Sequence, residues 1–206
     1  KIRFSKSHGT GNDFIIIDNR TQKVVFDSPA KIAELCHRRF GIGADGLILL
    51  EESGSFDFMM KYFNSDGKEG SMCGNGGRCI VAFAHFLGII KGKTNFEAID
   101  GVHTAELTIS SDNIPVVALK MNDVTRVDRD DEAYVMDTGS PHYVLFCKDT
   151  ELVDVVAEGK KIRNSDRYKS SGINVNYVSE KEAAFSIRTY ERGVEDETLA
   201  CGTGSV

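Results

Sequence analysis

A chain of 206 residues is long enough for one large domain or two lobes of about 100 residues each, and it can bury a real core. A net charge of −6 and a pI near 5.4, with no basic block beyond His37-Arg38-Arg39, exclude a sequence-independent binder of nucleic-acid backbones and point to a small-molecule partner. No segment reaches the length of a membrane span, and Lys1-Ile2-Arg3-Phe4-Ser5 lacks the apolar core of a signal peptide. A cytoplasmic enzyme or binding protein is therefore expected, with no membrane partner. The five cysteines, at 36, 73, 79, 147 and 201, form an odd set with no C-x-x-C pair, so reduced thiols are expected and neither a disulfide framework nor a zinc ribbon.

In chain order, a glycine turn at His8-Gly9-Thr10-Gly11 leads into Phe14-Ile15-Ile16-Ile17-Asp18, which reads as a buried strand. Ser28-Pro29 predicts a helix through about Arg39, with Ser28 as N-cap and Pro29 at the first helical position. The glycine-rich stretch from Gly41 to Gly46 ends it, and Leu47 to Leu50 is the next strand. Phe56 to Phe63 is another, broken at the turn signal Asn64-Ser65-Asp66-Gly67. A helix opens at Cys73 and runs to about Gly88. Short strands follow at Phe96 to Ile99, Thr104 to Ser110 and Val116 to Lys120, and the charge-rich stretch Asp123 to Glu132 reads as a solvated linker.

Two stretches are alike: Cys73-Gly74-Asn75-Gly76 and Cys201-Gly202-Thr203-Gly204. They lie 128 positions apart (201 less 73), and at that same offset Thr10-Gly11 falls on Thr138-Gly139, Tyr62 on Tyr190 and Glu69 on Glu197. One residue further along, Gly43-Ala44-Asp45 meets Gly172-Ile173-Asn174. We read a duplication. It predicts an α+β protein of two similar lobes, 1–120 with Cys73 and 121–206 with Cys201. The lobes would be related by a pseudo-two-fold axis, each a curved, mostly antiparallel sheet or barrel around a central helix, with the two cysteines facing one another. Because the first copy runs far beyond Cys73 and the second stops five residues past Cys201, the second lobe is expected to be incomplete at its C-terminus, with stability and activity reduced accordingly.

A cysteine at a helix start followed by glycines sits beside bare N–H groups and the positive end of the helix dipole, a setting that holds a carboxylate and lowers a thiol pKa. Two such thiols on opposite sides of a carboxylate site suit removal of an α-proton on one face and delivery on the other, as general base and general acid. Cys36, Cys79 and Cys147 lie in or beside apolar runs and are expected to act as small hydrophobes. His8 is expected to shape its turn. His37, His85 and His103 do not converge with carboxylates at metal spacing, so no metal is expected.

Seven motifs together resemble the diaminopimelate epimerase family: His8 to Phe14, Gly41 to Gly46, Phe63 to Gly67, Met72 to Cys79, Gly172 to Asn176, Tyr190 to Gly193 and Ala200 to Gly204. The resemblance covers nearly the whole chain. It implies a cofactor-independent isomerase of lysine and cell-wall precursor synthesis that interconverts LL- and meso-diaminopimelate. Members of that family continue for several tens of residues past the position of Val206, and the resemblance allows a homodimer. Carried over by position, Cys73 and Cys201 are the acid/base pair. Gly74, Asn75, Gly202 and Thr203 hold the reacting carboxylate. Asn12, Asn64, Asn174 and Arg192, with Glu191 beside them, hold the distal amino-carboxylate. His142 lies near the reacting end, and Ser140 stands where many members carry Asn, leaving its contact with substrate open. An arginine fork and asparagine amides suit such a group on chemical grounds as well. Three rivals stay open: a proline-type racemase, whose first motif reads Cys-Gly-His; a phenazine-type isomerase, which lacks the paired thiols; and a non-catalytic anion-binding lobe, which needs no thiols.

Overall fold

The structure, a computed structural model, describes residues 1–205; position 206, the end of the expected second lobe, lies outside the described residues. By internal contacts the chain divides into two compact units, Lys1–Lys120 and the segment from Met121 onward.

The first unit runs β1 (Ser5–Gly9), β2 (Asn12–Asp18), α1 (Asn19–Gln22), α2 (Pro29–Cys36), β3 (Gly46–Glu51), β4 (Phe58–Asn64), β5 (Glu69–Gly70), α3 (Gly74–Phe86), β6 (Lys93–Ala98), β7 (Gly101–Ile109) and β8 (Pro115–Leu119). Its strands form one mixed sheet in the order β1-β2-β3-β4-β6-β7-β8, with β5 paired to β4. The β2–β3 and β4–β6 pairs are parallel, and each is joined by a helical crossover, as parallel neighbours require. The apolar runs of β2 and β3 are continuous because both faces are covered. Phe14, Ile16, Ile48 and Leu50 pack with Ile80, Val81 and Ala84 of α3, while Ile15, Ile17, Leu47 and Leu49 pack with Ile32 and Cys36 of α2.

The second unit runs β9 (Val127–Asp130), β10 (Ala133–Asp137), β11 (Pro141–Phe146), a 3-10 turn at Thr150–Leu152, α4 (Val155–Arg163), β12 (Asn174–Lys181), β13 (Ala184–Glu191), β14 (Asp196–Thr198) and a 3-10 turn at Thr203–Ser205. Its sheet order is β14-β13-β12-β11-β10-β9. The duplication is visible in the pairing itself. β1-β2-β3-β4-β5 repeats as β10-β11-β12-β13-β14, antiparallel except for the central parallel pair, and Phe14↔Gly46 and His142↔Asn174 hold the same register 128 positions apart. One face of the second sheet packs Val175, Tyr177 and Tyr190 against Val155 and Ile162 of α4. The other carries buried polar groups: His142, Asn174, Asn176 and Thr189.

Several sequence expectations are corrected. The helix at Ser28 ends at Cys36 and not near Arg39, because the Gly41–Ala44 backbone folds back and its N–H groups take the carbonyls of Leu35, Cys36 and His37. Ser28 holds the N-cap position without a side-chain cap bond. The helix opened at Cys73 ends at Phe86, two residues short of the expected Gly88. Part of the expected linker is strand: β9 pairs antiparallel with β10, and Asp130 accepts from Arg167 Nη1 at 2.5 Å and Tyr168 Oη at 2.6 Å. Its charges are those of a solvated sheet edge, a place where like compositions occur for protection against further pairing.

Candidate functional site

In the first unit the β1–β2 turn brings Asn12 to the start of α3. His8 shapes that turn by accepting the Gly11 N–H at Nδ1, 3.4 Å. Cys73 is the extended N-cap residue (φ −87°, ψ 129°), and Gly74, Asn75, Gly76 and Gly77 of the first helical turn are buried. Asn12 Oδ1 lies 3.6 Å from Cys73 Sγ and accepts from Asn75 Nδ2 at 3.3 Å. Asn75 Oδ1 in turn accepts from Thr10 Oγ1 at 3.3 Å and from Arg78 Nη2. Asn64 lies at the end of β4, where its Oδ1 accepts from the Tyr62 hydroxyl at 2.9 Å, and Tyr62 packs against the same apolar cluster as Cys73. Asn12, Cys73 and Asn75 converge.

In the second unit Cys201, 7 % exposed, precedes the 3-10 turn. Its Sγ lies 3.4 Å from Thr203 Oγ1, which lies 2.9 Å from His142 Nε2. Thr203 O accepts from Thr138 Oγ1 at 2.6 Å. Asn176 Nδ2 points to His142 Nδ1 at 2.9 Å and donates to Tyr143 O at 3.3 Å, which fixes it as the amide nitrogen end; His142 Nδ1 is therefore the acceptor and Nε2 carries the proton. Burial pushes the His142 pKa down to about 4. Asn174 Oδ1 accepts the Arg192 N–H at 2.8 Å, and its Nδ2 donates to Ser140 Oγ at 2.9 Å. Arg192 reaches the same Ser140 Oγ at 3.4 Å and Ser171 O at 3.0 Å. Burial, then the nearby Arg163, lowers its pKa from the ordinary arginine value. Ser140, Asn174 and Arg192 thus form one cluster, with Ser140 as its shared acceptor.

The expected lowering of thiol pKa fails at Cys201. Burial raises it and the Glu191 charge adds to this, outweighing the hydrogen bonds from Thr203 and the Thr203 and Gly204 backbone. Cys36 and Cys79 are buried, and burial pushes both thiols up to about 11, as suits small hydrophobes.

Sequence reasoning passed over Thr10, Asp45, Thr138 and Asn176. The repeat carried a signal for three of them. Thr10 and Thr138, a matched pair at the 128 offset, each bond the residue two beyond a motif cysteine. Asp45 and Asn174, matched one residue further along, each bond the residue that opens the neighbouring parallel strand or its turn, Asn12 and Ser140.

The fold places the chain in a class already seen in solved structures. A PhzF-family phenazine biosynthesis protein from Bacillus anthracis superposes with a TM-score of 0.70 at 12% identity, over 99% of this chain and 76% of that one. A probable proline racemase from Agrobacterium radiobacter, solved with bound carbonate, does so with a TM-score of 0.70 at 13% identity, over 99% and 74%. Within that fold the sequence is more specific. The family model described as Diaminopimelate epimerase matches residues 4–127 and 134–206, leaving out 1–3 and, around the β9–β10 turn, 128–133. A diaminopimelate epimerase from Flavobacterium psychrophilum is 55% identical over 205 residues, 99% of this chain and 78% of that protein. The chain belongs to the diaminopimelate epimerase family.

Proposed function

We propose that this chain inverts the α-carbon of LL-diaminopimelate to give the meso form, an isomerase step of lysine and peptidoglycan precursor synthesis carried out in the cytoplasm. The observation that carries the reading is the duplicated cysteine motif in a member of this family: each thiol stands at the start of a helical turn beside buried hydrogen-bonding groups.

In this reading the units 1–120 and 121–206 each contribute one thiol. The thiolate of one cysteine takes the α-proton, the electron pair stays on carbon, and the thiol of the other delivers its proton to the opposite face. Base and acid are then exchanged, and the reverse reaction restores them. Because the α-proton is weakly acidic, the developing negative charge needs donors already in place, and the proposed set is Gly74, Asn75, Gly202 and Thr203 at the reacting carboxylate. Arg192 and Asn174, with Asn12, Asn64 and Glu191, take the distal amino-carboxylate, the Arg192 guanidinium as a fork for its two oxygens. Ser140 and His142 support the set through the bonds described above. A distal polar cluster has no purpose on proline, whose single carboxylate is the reacting one, which favours the diaminopimelate reading over its fold-sharing rival.

The test is to incubate the protein separately with LL-diaminopimelate, L-proline and trans-4-hydroxy-L-proline and to resolve the stereoisomers by chiral derivatisation. Meso-diaminopimelate is expected, with both prolines unchanged. Turnover of a proline with none of diaminopimelate would overturn the reading.

A further inference from the structure

Three side chains touch the His142 ring. Asn176 Nδ2 lies 2.9 Å from Nδ1, Thr203 Oγ1 lies 2.9 Å from Nε2, and Asn174 Nδ2 lies 3.4 Å from Nε2. Asn176 cannot turn its amide, because Nδ2 also faces the Tyr143 carbonyl, which only accepts, and Oδ1 takes the Thr189 hydroxyl at 2.9 Å. Its N–H therefore requires a bare Nδ1 and puts the ring proton on Nε2. Thr203 suits either tautomer, since a hydroxyl both gives and accepts. Asn174 alone favours the other one, but its contact is the longest and its amide already donates to Ser140 Oγ at 2.9 Å. Asn176 is thus the contact that selects the tautomer. Burial keeps the ring neutral above about pH 4, so near pH 7 the two tautomers are the states to choose between.

The choice matters because Thr203 has one hydroxyl hydrogen and two neighbours that can take it. With Nε2 bare, the hydrogen goes to the imidazole nitrogen, and turning it to sulfur costs that bond and leaves a buried nitrogen unpaired. With Nε2 protonated, Oγ1 accepts from the ring and its own hydrogen is left for Cys201 Sγ, 3.4 Å away. We propose that Asn176 is a positioning residue which, through the His142 tautomer, commits the Thr203 hydroxyl to Cys201 as a donor, in place for the charge the sulfur carries once its proton has left. This rests on the assignment of Cys201 as an acid/base group. At rest Cys201 stays a thiol, because burial and the Glu191 charge outweigh the Thr203 hydroxyl and the N–H groups of Thr203 and Gly204. The other charges nearby, Asp137 at the end of β10 and Arg192 just after β13, act on His142 in opposite directions.

The tautomer is read from imidazole 15N spectra of the whole protein, in which the His142 signals, among those of five histidines, are the ones lost in His142→Gln. A proton on Nε2 and a bare Nδ1 are expected; a proton on Nδ1, wholly or in part, overturns the proposal. The sulfur is read by iodoacetamide labelling against pH, since cleavage after Arg192 releases residues 193–206, whose one cysteine is Cys201. Asn176→Leu replaces the amide by an apolar group of similar shape, so the tautomers should mix. The Cys201 midpoint should then rise by about one pH unit, a roughly tenfold drop in labelling rate near pH 7. Thr203→Val removes the hydroxyl itself and should raise the midpoint by as much, and the double variant by no more, because all three lose the same bond. A wild-type midpoint in folded Asn176→Leu, or effects that add in the double variant, overturns the proposal. If Asn176→Leu does not fold, Thr203→Val decides: a wild-type midpoint overturns it, and a raised one together with the Nε2 proton in the wild type supports it. Neither measurement needs substrate, so a protein that fails to epimerise diaminopimelate would refute the proposed function and leave this result to stand or fall separately.

Discussion

His142 is 1 % exposed, and its imidazole is surrounded by amide nitrogens and the Thr203 hydroxyl. Since burial lowers its folded-state pKa to about 4, the unfolded chain binds this proton near the ordinary value of 6.5 while the folded chain does not. The contribution of His142 is thus fully favourable above about pH 6.5 and is eroded as pH falls toward 4, by at most about 3 kcal/mol. Urea titrations from pH 7 to pH 4 should show this loss, and His142→Gln should flatten it. An equal slope in both proteins would contradict the assignment. Gly172 is the second residue to test, because its φ of +73° disfavours a side chain and an added Cβ would fall 2.5 Å from Arg192 Cδ. Gly172→Ala should displace Arg192 and raise KM for diaminopimelate roughly tenfold, about 1.4 kcal/mol of binding, with a smaller change in kcat. At this scale the repeat singled out the two cysteines, and the family resemblance singled out Asn12, Asn174 and Arg192, whose residue types alone suit a turn or a surface ion pair equally well. Asp45 and Asn176 were not, since each acts by fixing a neighbour's amide or tautomer, and that depends on strand register.

Among the elements, α4 packs unusually close to its sheet. A Cβ at Gly159 would lie 2.4 Å from Tyr190 Cβ, and Tyr190 is 1 % exposed. Alanine ordinarily favours a helix interior over glycine by about 1 kcal/mol. Here Gly159→Ala must push helix and strand apart, and a net loss of roughly 2 kcal/mol is expected in chemical denaturation, with overpacking outweighing propensity. A stabilised variant would contradict the close packing. The apolar strands β2, β3 and β4 were readable from composition, as was α3 from its cysteine start. β9 was not, because an edge strand needs only one bonded neighbour and few buried side chains, so its sequence looks like a linker. The end of α2 was misplaced because backbone bonds from the following loop end it, and these leave little mark on periodicity.

For the whole molecule the repeat was the most informative signal, and the structure sharpens what it means. The two units share strand order and the register of the central parallel pair, yet their equivalent faces differ: α3 covers the first with apolar side chains, whereas the second presents His142, Asn174, Asn176 and Thr189. One duplicated plan therefore supplies two thiols in unlike surroundings, Cys73 beside an amide oxygen and Cys201 beside a hydroxyl and a nearby carboxylate. A two-base inversion needs both. In deuterium oxide, the protein acting on LL-diaminopimelate should yield meso product carrying deuterium at the inverted α-carbon, and Cys73→Ser and Cys201→Ser should each lower that turnover by at least about a thousandfold. Undiminished deuterated product from either single variant, or none from the wild-type protein, would contradict the account.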